Sequence, residues 1–339
     1  MSTHFRPLAV SIALVSLTAG AGSRVLAQHA ATVAPLAITE WKVPWANTRP
    51  RDPYIAADGK VWFVGQAGNY IANLDPATGK FRRYEIEEGT HPHNLIIDKQ
   101  GRVWFSGNTN ARIGWLDAAT GKSTIYHMPN PAAKDPHTMT FDRAGNIWFT
   151  AQFSNFVGHL DTKSGAVHLM PSPTRDSRPY GIVVDPSGRP FFDEFNTNKI
   201  GAIDPSTMAI KEYTLPAQAR PRRIAVTSDG TIWYGDFMQG RLGRLDPRTG
   251  NVREFVLPDA ATSLPYAMAS DDRDRIWLVE TGVQPNKLVG FDPKTEKWIS
   301  VTPIAESGAG TVRHMVYHAP TRSLWFGTDA NTIGRARVP

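Results

Sequence analysis

The 339-residue chain contains no cysteine. That excludes disulfides, thiolate metal sites and cysteine nucleophiles, and leaves packing and hydrogen bonding to hold the fold. Long apolar runs are missing as well. Leu8 to Leu17 is too short to span a membrane, and nothing later approaches the roughly 18 residues a span requires. Lys and Arg form no cluster, and 37 of them against 31 acids give a formal charge of only +6. So mild an excess argues against a nucleic-acid partner. The chain also lacks a Gly-rich phosphate loop, a serine nucleophile elbow and a His-Glu-x-x-His helix.

The N-terminus reads as a secretory leader. His4 and Arg6 precede the apolar run, and Val25-Leu26-Ala27 offers a small residue at a cut before Gln28. Removing residues 1–27 takes away Arg6 and Arg24 and no acids, so 35 minus 31 leaves +4. A periplasmic or secreted monomer is expected, with residues 28–37 as a short linker and 38–339 as one domain.

Within that domain the sequence repeats itself. Seven segments share a central aromatic, Trp62, Trp104, Trp148, Phe191, Trp233, Trp277 and Trp325, at steps of 42 to 48 residues. Each segment reads as four short strands, and no helical periodicity follows the leader. The third strand closes on Asp-Pro-x-Thr-Gly or a relative, as in Asp75 to Gly79 and Asp246 to Gly250. These are turn residues, Pro presetting φ and Gly accepting φ > 0, so the aspartates are assigned to turns and not to calcium. The aromatics are assigned to packing between units. Four strands per 40–45 residues match a β-propeller blade. The seventh segment ends at Pro339 without a fourth strand, and Ile38 to Pro44 looks like the missing one. The expectation is an all-β, seven-bladed propeller whose last blade is closed by the N-terminal strand.

Eleven residues before each aromatic lies a position that should line the channel mouth: Arg51, His93, His137, Tyr180, Arg222, Tyr266 and His314. Two residues earlier, His91, Asp135, Arg49, Arg178 and Arg220 should point the same way. If Ile97 faces Val103 across the hairpin, His93 faces Gly107, and the same offset brings Glu194, Asp236 and Glu280 to the mouth. His91, His93, Asp135 and His137 then form a cluster able to accept a proton or hold Mg, Mn or Zn. Equally, a wet channel lined by polar groups would simply bind water. The arginines of blades one, four and five, Arg223 included, suggest an anion-binding wall, unless Arg222 pairs with Asp236 and others with Asp52 or Glu194. Tyr180 and Tyr266 either stack on a ligand or narrow the channel.

The unit Pro179-Tyr180-Gly181-Ile182 followed by Asn198-Lys199-Ile200-Gly201 resembles the virginiamycin B lyase (streptogramin B lyase) family over residues 38–339. The resemblance implies a propeller that linearises cyclic depsipeptides at an ester by elimination, using Mg. It implies a substrate-contacting His93 in Pro92-His93, and in Asp135-Pro136-His137 a metal-binding carboxylate and a general base. Aspartate stands here where the family has glutamate, and the motif lies in blades two and three where the family has it late. Ala151 and Gln152 stand where the family has its second metal-binding glutamate, which leaves Gln152 as the remaining donor.

Three functions are consistent with these residues. The first is metal-dependent, lyase-like opening of a cyclic ester or lactone. The second is a gluconolactonase-like hydrolase using Glu194, Asp236 and Glu280 as ligands. The third is a non-catalytic propeller that binds an anionic ligand or a protein at its arginines.

Overall fold

The computed structural model describes Met1, residues 35–308 and residues 310–339. Apart from Met1, the expected leader, residues 1–27, and most of the linker lie outside the described residues. Among the described residues, twenty-eight strands form seven four-stranded antiparallel sheets, with three short 3-10 turns as the only helical elements. No helix among them is long and apolar enough to cross a membrane.

Blade one runs Pro50–Ile55, Val61–Gly65, Tyr70–Asp75 and Lys80–Glu85. Blades two to six repeat this order. In blade seven the sheet order is Ile38–Lys42, Thr332–Arg337, Ser323–Thr328, Val312–His318, so the N-terminal strand closes the ring as expected. Its register runs from Ile38 opposite Ala336 to Lys42 opposite Thr332. Pairing the N-terminal strand with Thr332–Arg337 covers the edge that strand would otherwise leave open.

The core lies between the blades. Trp104 packs with Met139, Ile147 and Phe149 of blade three, and Trp277 with Val312, Met315 and Phe326 of blade seven. Trp325 meets Val61 and Phe63 of blade one across the closure. Burying an aromatic of this size in each gap is the main apolar contribution to the ring. Glycines in the third strands make room for aromatics in the second. A Cβ on Gly158 would lie 2.2 Å from Phe149, and one on Gly201 2.2 Å from Phe192. The glycine of Asn-Lys-Ile-Gly is therefore a packing requirement. The Asp-x-x-Thr-Gly aspartates cap turns, as expected: Asp75 accepts the Ala77 amide at 2.9 Å.

Each first strand contains a bulge just after its proline or valine start. Pro92, not His93, pairs with Gly107, while Ile97 pairs with Val103 as expected. One extra residue is accommodated, and a bulge re-aims the side chains around it. The expected His93–Gly107 register is corrected accordingly, and Glu194, Asp236 and Glu280 pair with Pro179, Pro221 and Pro265.

Blade seven differs again. Its first hairpin carries a 3-10 turn at Ala319–Thr321, and Val316 pairs with Trp325, nine residues on, where Ile96 pairs with Trp104, eight on. The equivalent of His93 in blade seven is thus Arg313, and His314 sits one step further down the channel.

Ring closure rests partly on Trp41, whose indole stacks on Trp325 at 5.5 Å under the guanidinium of Arg335. Trp41→Ala should lower unfolding stability by about 2 kcal/mol, below the usual core value because the ring is half-exposed. The check is a lower urea midpoint at unchanged slope.

Candidate functional site

Because of the bulges, two consecutive residues per blade turn toward the channel and form two stacked circles. The upper circle holds Arg51, His93, His137, Tyr180, Arg222, Tyr266 and Arg313. The lower one includes Asp52, Asn94, Thr138, Arg223 and His314.

Most of the upper circle is in direct contact. The imidazoles of His93 and His137 stack at 3.5 Å, and His137 meets the Tyr180 ring at 4.2 Å. The hydroxyls of Tyr180 and Tyr266 share a short hydrogen bond. Arg222 lies 3.7 Å from the Tyr266 ring centre and within 5 Å of both Phe195 and Phe237. A guanidinium enclosed by four aromatic faces is held by cation–π attraction. The alternative Arg222–Asp236 pair is not made among the described residues, where Asp236 accepts the Arg220 amide. Arg313 is fixed by a two-pronged pair with Asp329, at 2.8 and 2.6 Å.

Charge is unevenly distributed here. Burial would raise the Tyr266 phenol, but Arg222, Arg51, Arg223 and Arg313 overcome it and pull it down to about 7. Burial and the Tyr266 charge push Tyr180 the other way. His93 and His137 are held well below the ordinary imidazole value, first by burial and then by Arg51 and Arg223. Both are therefore neutral at pH 7. Nδ1 of His137 lies 2.9 Å from the Thr138 hydroxyl, which also accepts Arg223 Nη1 at 3.0 Å.

The lower circle is anchored by Asp52. It accepts Arg51 Nε at 2.9 Å and Asn94 Nδ2 at 2.9 Å, and Arg223 Nη2 lies 3.8 Å away. The Asn94 side-chain oxygen, Oδ1, in turn accepts the Met139 amide at 3.0 Å, tying blade one to blade three. Neither Asp52 nor Arg223 is more than 2% exposed.

The remaining sequence candidates lie elsewhere. His91 sits on the rim, its Nδ1 3.0 Å from the Gln66 carbonyl oxygen. Glu194, Asp236 and Glu280 do not converge; each pins the connector entering its own blade. Asp236 accepts the Arg220 amide at 3.0 Å, Glu280 the Asp259 amide at 3.0 Å, and Ser172 donates to Glu194 at 3.5 Å. Burial with a neighbouring carboxylate pushes Glu194 and Glu280 up to about 7. Blade three makes the same joint with the acid on the other side. Asp135, in the connector, accepts the Phe153 amide at 2.6 Å, the Ser154 amide at 3.0 Å and the Ser154 hydroxyl.

This bears on magnesium, which takes several oxygen donors in near-octahedral geometry. Asp135 offers one carboxylate already accepting three hydrogen bonds, and Gln152 one amide oxygen. Among the described residues, no three His, Asp or Glu side chains gather as a metal-holding group. These donors do not fit a resident divalent ion.

Sequence reasoning missed Phe195, Phe237, Gln66 and Asn108, which stand above the ring at the exit of the second strands. All lie four residues past the central aromatic, so the same count that found the ring would have found them. Phe195 and Phe237 make an aromatic wall, their rings 5.9 Å apart. Gln66 and Asn108 make a facing amide wall, with Gln66 accepting Arg51 Nη1 at 3.0 Å.

Arg51, Arg223 and the nearby His314 hold Asp52 below the usual carboxylate range despite its burial. With its folded pKa depressed, Asp52 contributes stability above the unfolded value of about 4 that is lost as pH falls toward the folded value. Asp52→Asn should cost about 3–5 kcal/mol at pH 7, since it leaves buried guanidinium unpaired. The gap between variant and wild type in urea unfolding should narrow below about pH 4.

Comparison with known proteins agrees with this architecture. No curated protein matches the chain. Among solved structures, virginiamycin B lyase from Staphylococcus aureus superposes with a TM-score of 0.81 at 24% identity, covering 90% of this chain and 100% of that one. A streptogramin B lyase superposes at 0.80 with 25% identity, covering 90% and 98%. A catalytically inactive variant of the Staphylococcus aureus lyase with quinupristin superposes at 0.80 with 24% identity, covering 90% and 100%. The model of the virginiamycin B lyase family matches residues 36–336. On that match, the chain belongs to the virginiamycin B lyase family.

Proposed function

We propose that the protein is an exported carbon–oxygen lyase that opens a cyclic ester or lactone by elimination at the upper circle. The observation that carries this reading is the Tyr266 hydroxyl, which meets Tyr180 at the channel mouth under the guanidiniums of Arg222 and Arg313. Elimination needs a base near neutrality and a cation for the carboxylate that leaves. Tyr266 as phenolate takes a proton from the carbon between a carbonyl and the carbon bearing the ester oxygen. The C–O bond then breaks, its electron pair leaves with the carboxylate, and a carbon–carbon double bond forms. Arg222 and Arg313 receive the carboxylate charge. His93 and His137, neutral and stacked, orient the substrate carbonyl, while Phe195 and Phe237 pack against its ring. The quinupristin complex of the Staphylococcus aureus protein makes cyclic depsipeptides the first substrates to try.

The competing assignment puts the base on His137. Its imidazole is already deprotonated at pH 7, so it adds no titration there, whereas a phenol at about 7 must lose its proton first. With quinupristin and simple lactones as substrates, turnover should rise with pH through about 7 and then level off. Tyr266→Phe should lower it by about 100-fold or more. The product should be an isomer of the substrate, since elimination adds no water; a gain of one water would support the hydrolase reading. A pH-independent rate that disappears in His137→Ala would move the base to His137. Activity should survive chelation, and loss restored by Mg would return a metal to Asp135 and Gln152. Binding without turnover would leave the anion-binding propeller.

A further inference from the structure

Below the upper circle the channel widens into a cavity of about 300 Å3, lined by the first strands of all seven blades. It opens on the face opposite the mouth, where Tyr54, Ser270 and Tyr317 are part-exposed. Its walls there are apolar, with Ile96, Ile182, Met268 and Met315. Its inner end is polar, with Asn94, Thr138, Arg223 and His314.

Arg223 is the unusual member. It is 2% exposed, and only Nη1 has a hydrogen-bond acceptor, the Thr138 hydroxyl. Nε and Nη2 have none among the described residues, and neither has Nδ1 of His314. The nearest carboxylate oxygen to Arg223, on Asp52, is 3.8 Å away, and Asp52 is already occupied by Arg51 and Asn94. Asp193 lies nearby, but one oxygen accepts the Gly181 amide and burial pushes its carboxyl well up, so it supplies little negative charge. A buried guanidinium is costly unless its donors are satisfied. Nε and Nη2 form the side-on edge of the guanidinium, the edge that grips a carboxylate with two parallel hydrogen bonds.

We propose that this cavity is a second binding site, taking a small monocarboxylate with an apolar tail. The carboxylate pairs with the Arg223 guanidinium beside His314, the side chain turning its enclosed Nε–Nη2 edge toward the cavity, and the tail runs along Ile182, Met268 and Met315 toward the far face. The volume is at the small end of ligand pockets, which span about 300–1,000 Å3. This site is separate from the lyase reading, and either stands if the other fails.

Titration calorimetry with sodium hexanoate and, in parallel, hexanol tests it on the full chain. Hexanoate should bind at one site, and hexanol should bind about ten-fold or more weakly, as losing a charge-assisted pair requires. Arg223→Gln should abolish hexanoate binding. Because that change touches the Asp52 network, Met315→Phe gives an independent check, filling the tail channel while leaving Arg223 in place. Met315→Phe should block hexanoate and leave ring-mouth chemistry unchanged. The proposal is overturned if hexanoate does not bind, or binds Met315→Phe as tightly as the wild type. It is also overturned if binding is lost in Arg222→Ala and retained in Arg223→Gln, which would put the anion at the mouth.

Discussion

The bulge in each first strand is the constraint on which the rest of this structure depends. Without it, side chains would alternate strictly, and each blade would present one residue to the channel at this level. With it, two neighbours turn inward together, and seven blades produce one circle facing the mouth and another facing the cavity. The upper circle carries two imidazoles, two phenols and three guanidiniums. The lower one ties blade to blade through Asp52, Asn94 and Thr138. Chemistry and cohesion thus occupy adjacent residues of a single strand.

Legibility in the sequence followed the same division. The blades, the closing strand and the packing role of the repeated Trp residues could be read, because period and turn chemistry are local signals. Six of the seven upper positions followed from counting back from the aromatics. The seventh did not, because the turn at Ala319–Thr321 adds one residue and moves Arg313 into the place expected for His314. Counting could not show the bulge either. It is a backbone event, and its effect was to send Glu194, Asp236 and Glu280 to the connectors and not to the mouth.

Buried charge explains why the arginines matter more than the carboxylates. The acids at the connectors are engaged by backbone amides, as Asp236 is by Arg220 and Asp135 by Phe153 and Ser154. Asp52 alone answers two guanidiniums, so the channel retains a positive excess. That excess lowers the Tyr266 phenol and adds to the burial that keeps the histidines neutral. Burial and this imbalance together set the protonation of the ring.

The closing strand has a consequence for how the chain is made. The Thr332 hydroxyl donates to Glu40 across 292 residues of sequence, so among the described residues the earliest strand waits for the latest. Six blades can pair locally as they emerge from the ribosome, but blade seven cannot be completed until Thr332–Arg337 has been made. Contacts so distant in sequence form late and slowly. Until then the two flanks of the incomplete ring, at blade one and blade seven, expose apolar faces that later bury each other, and the nascent chain is most prone to association in that interval.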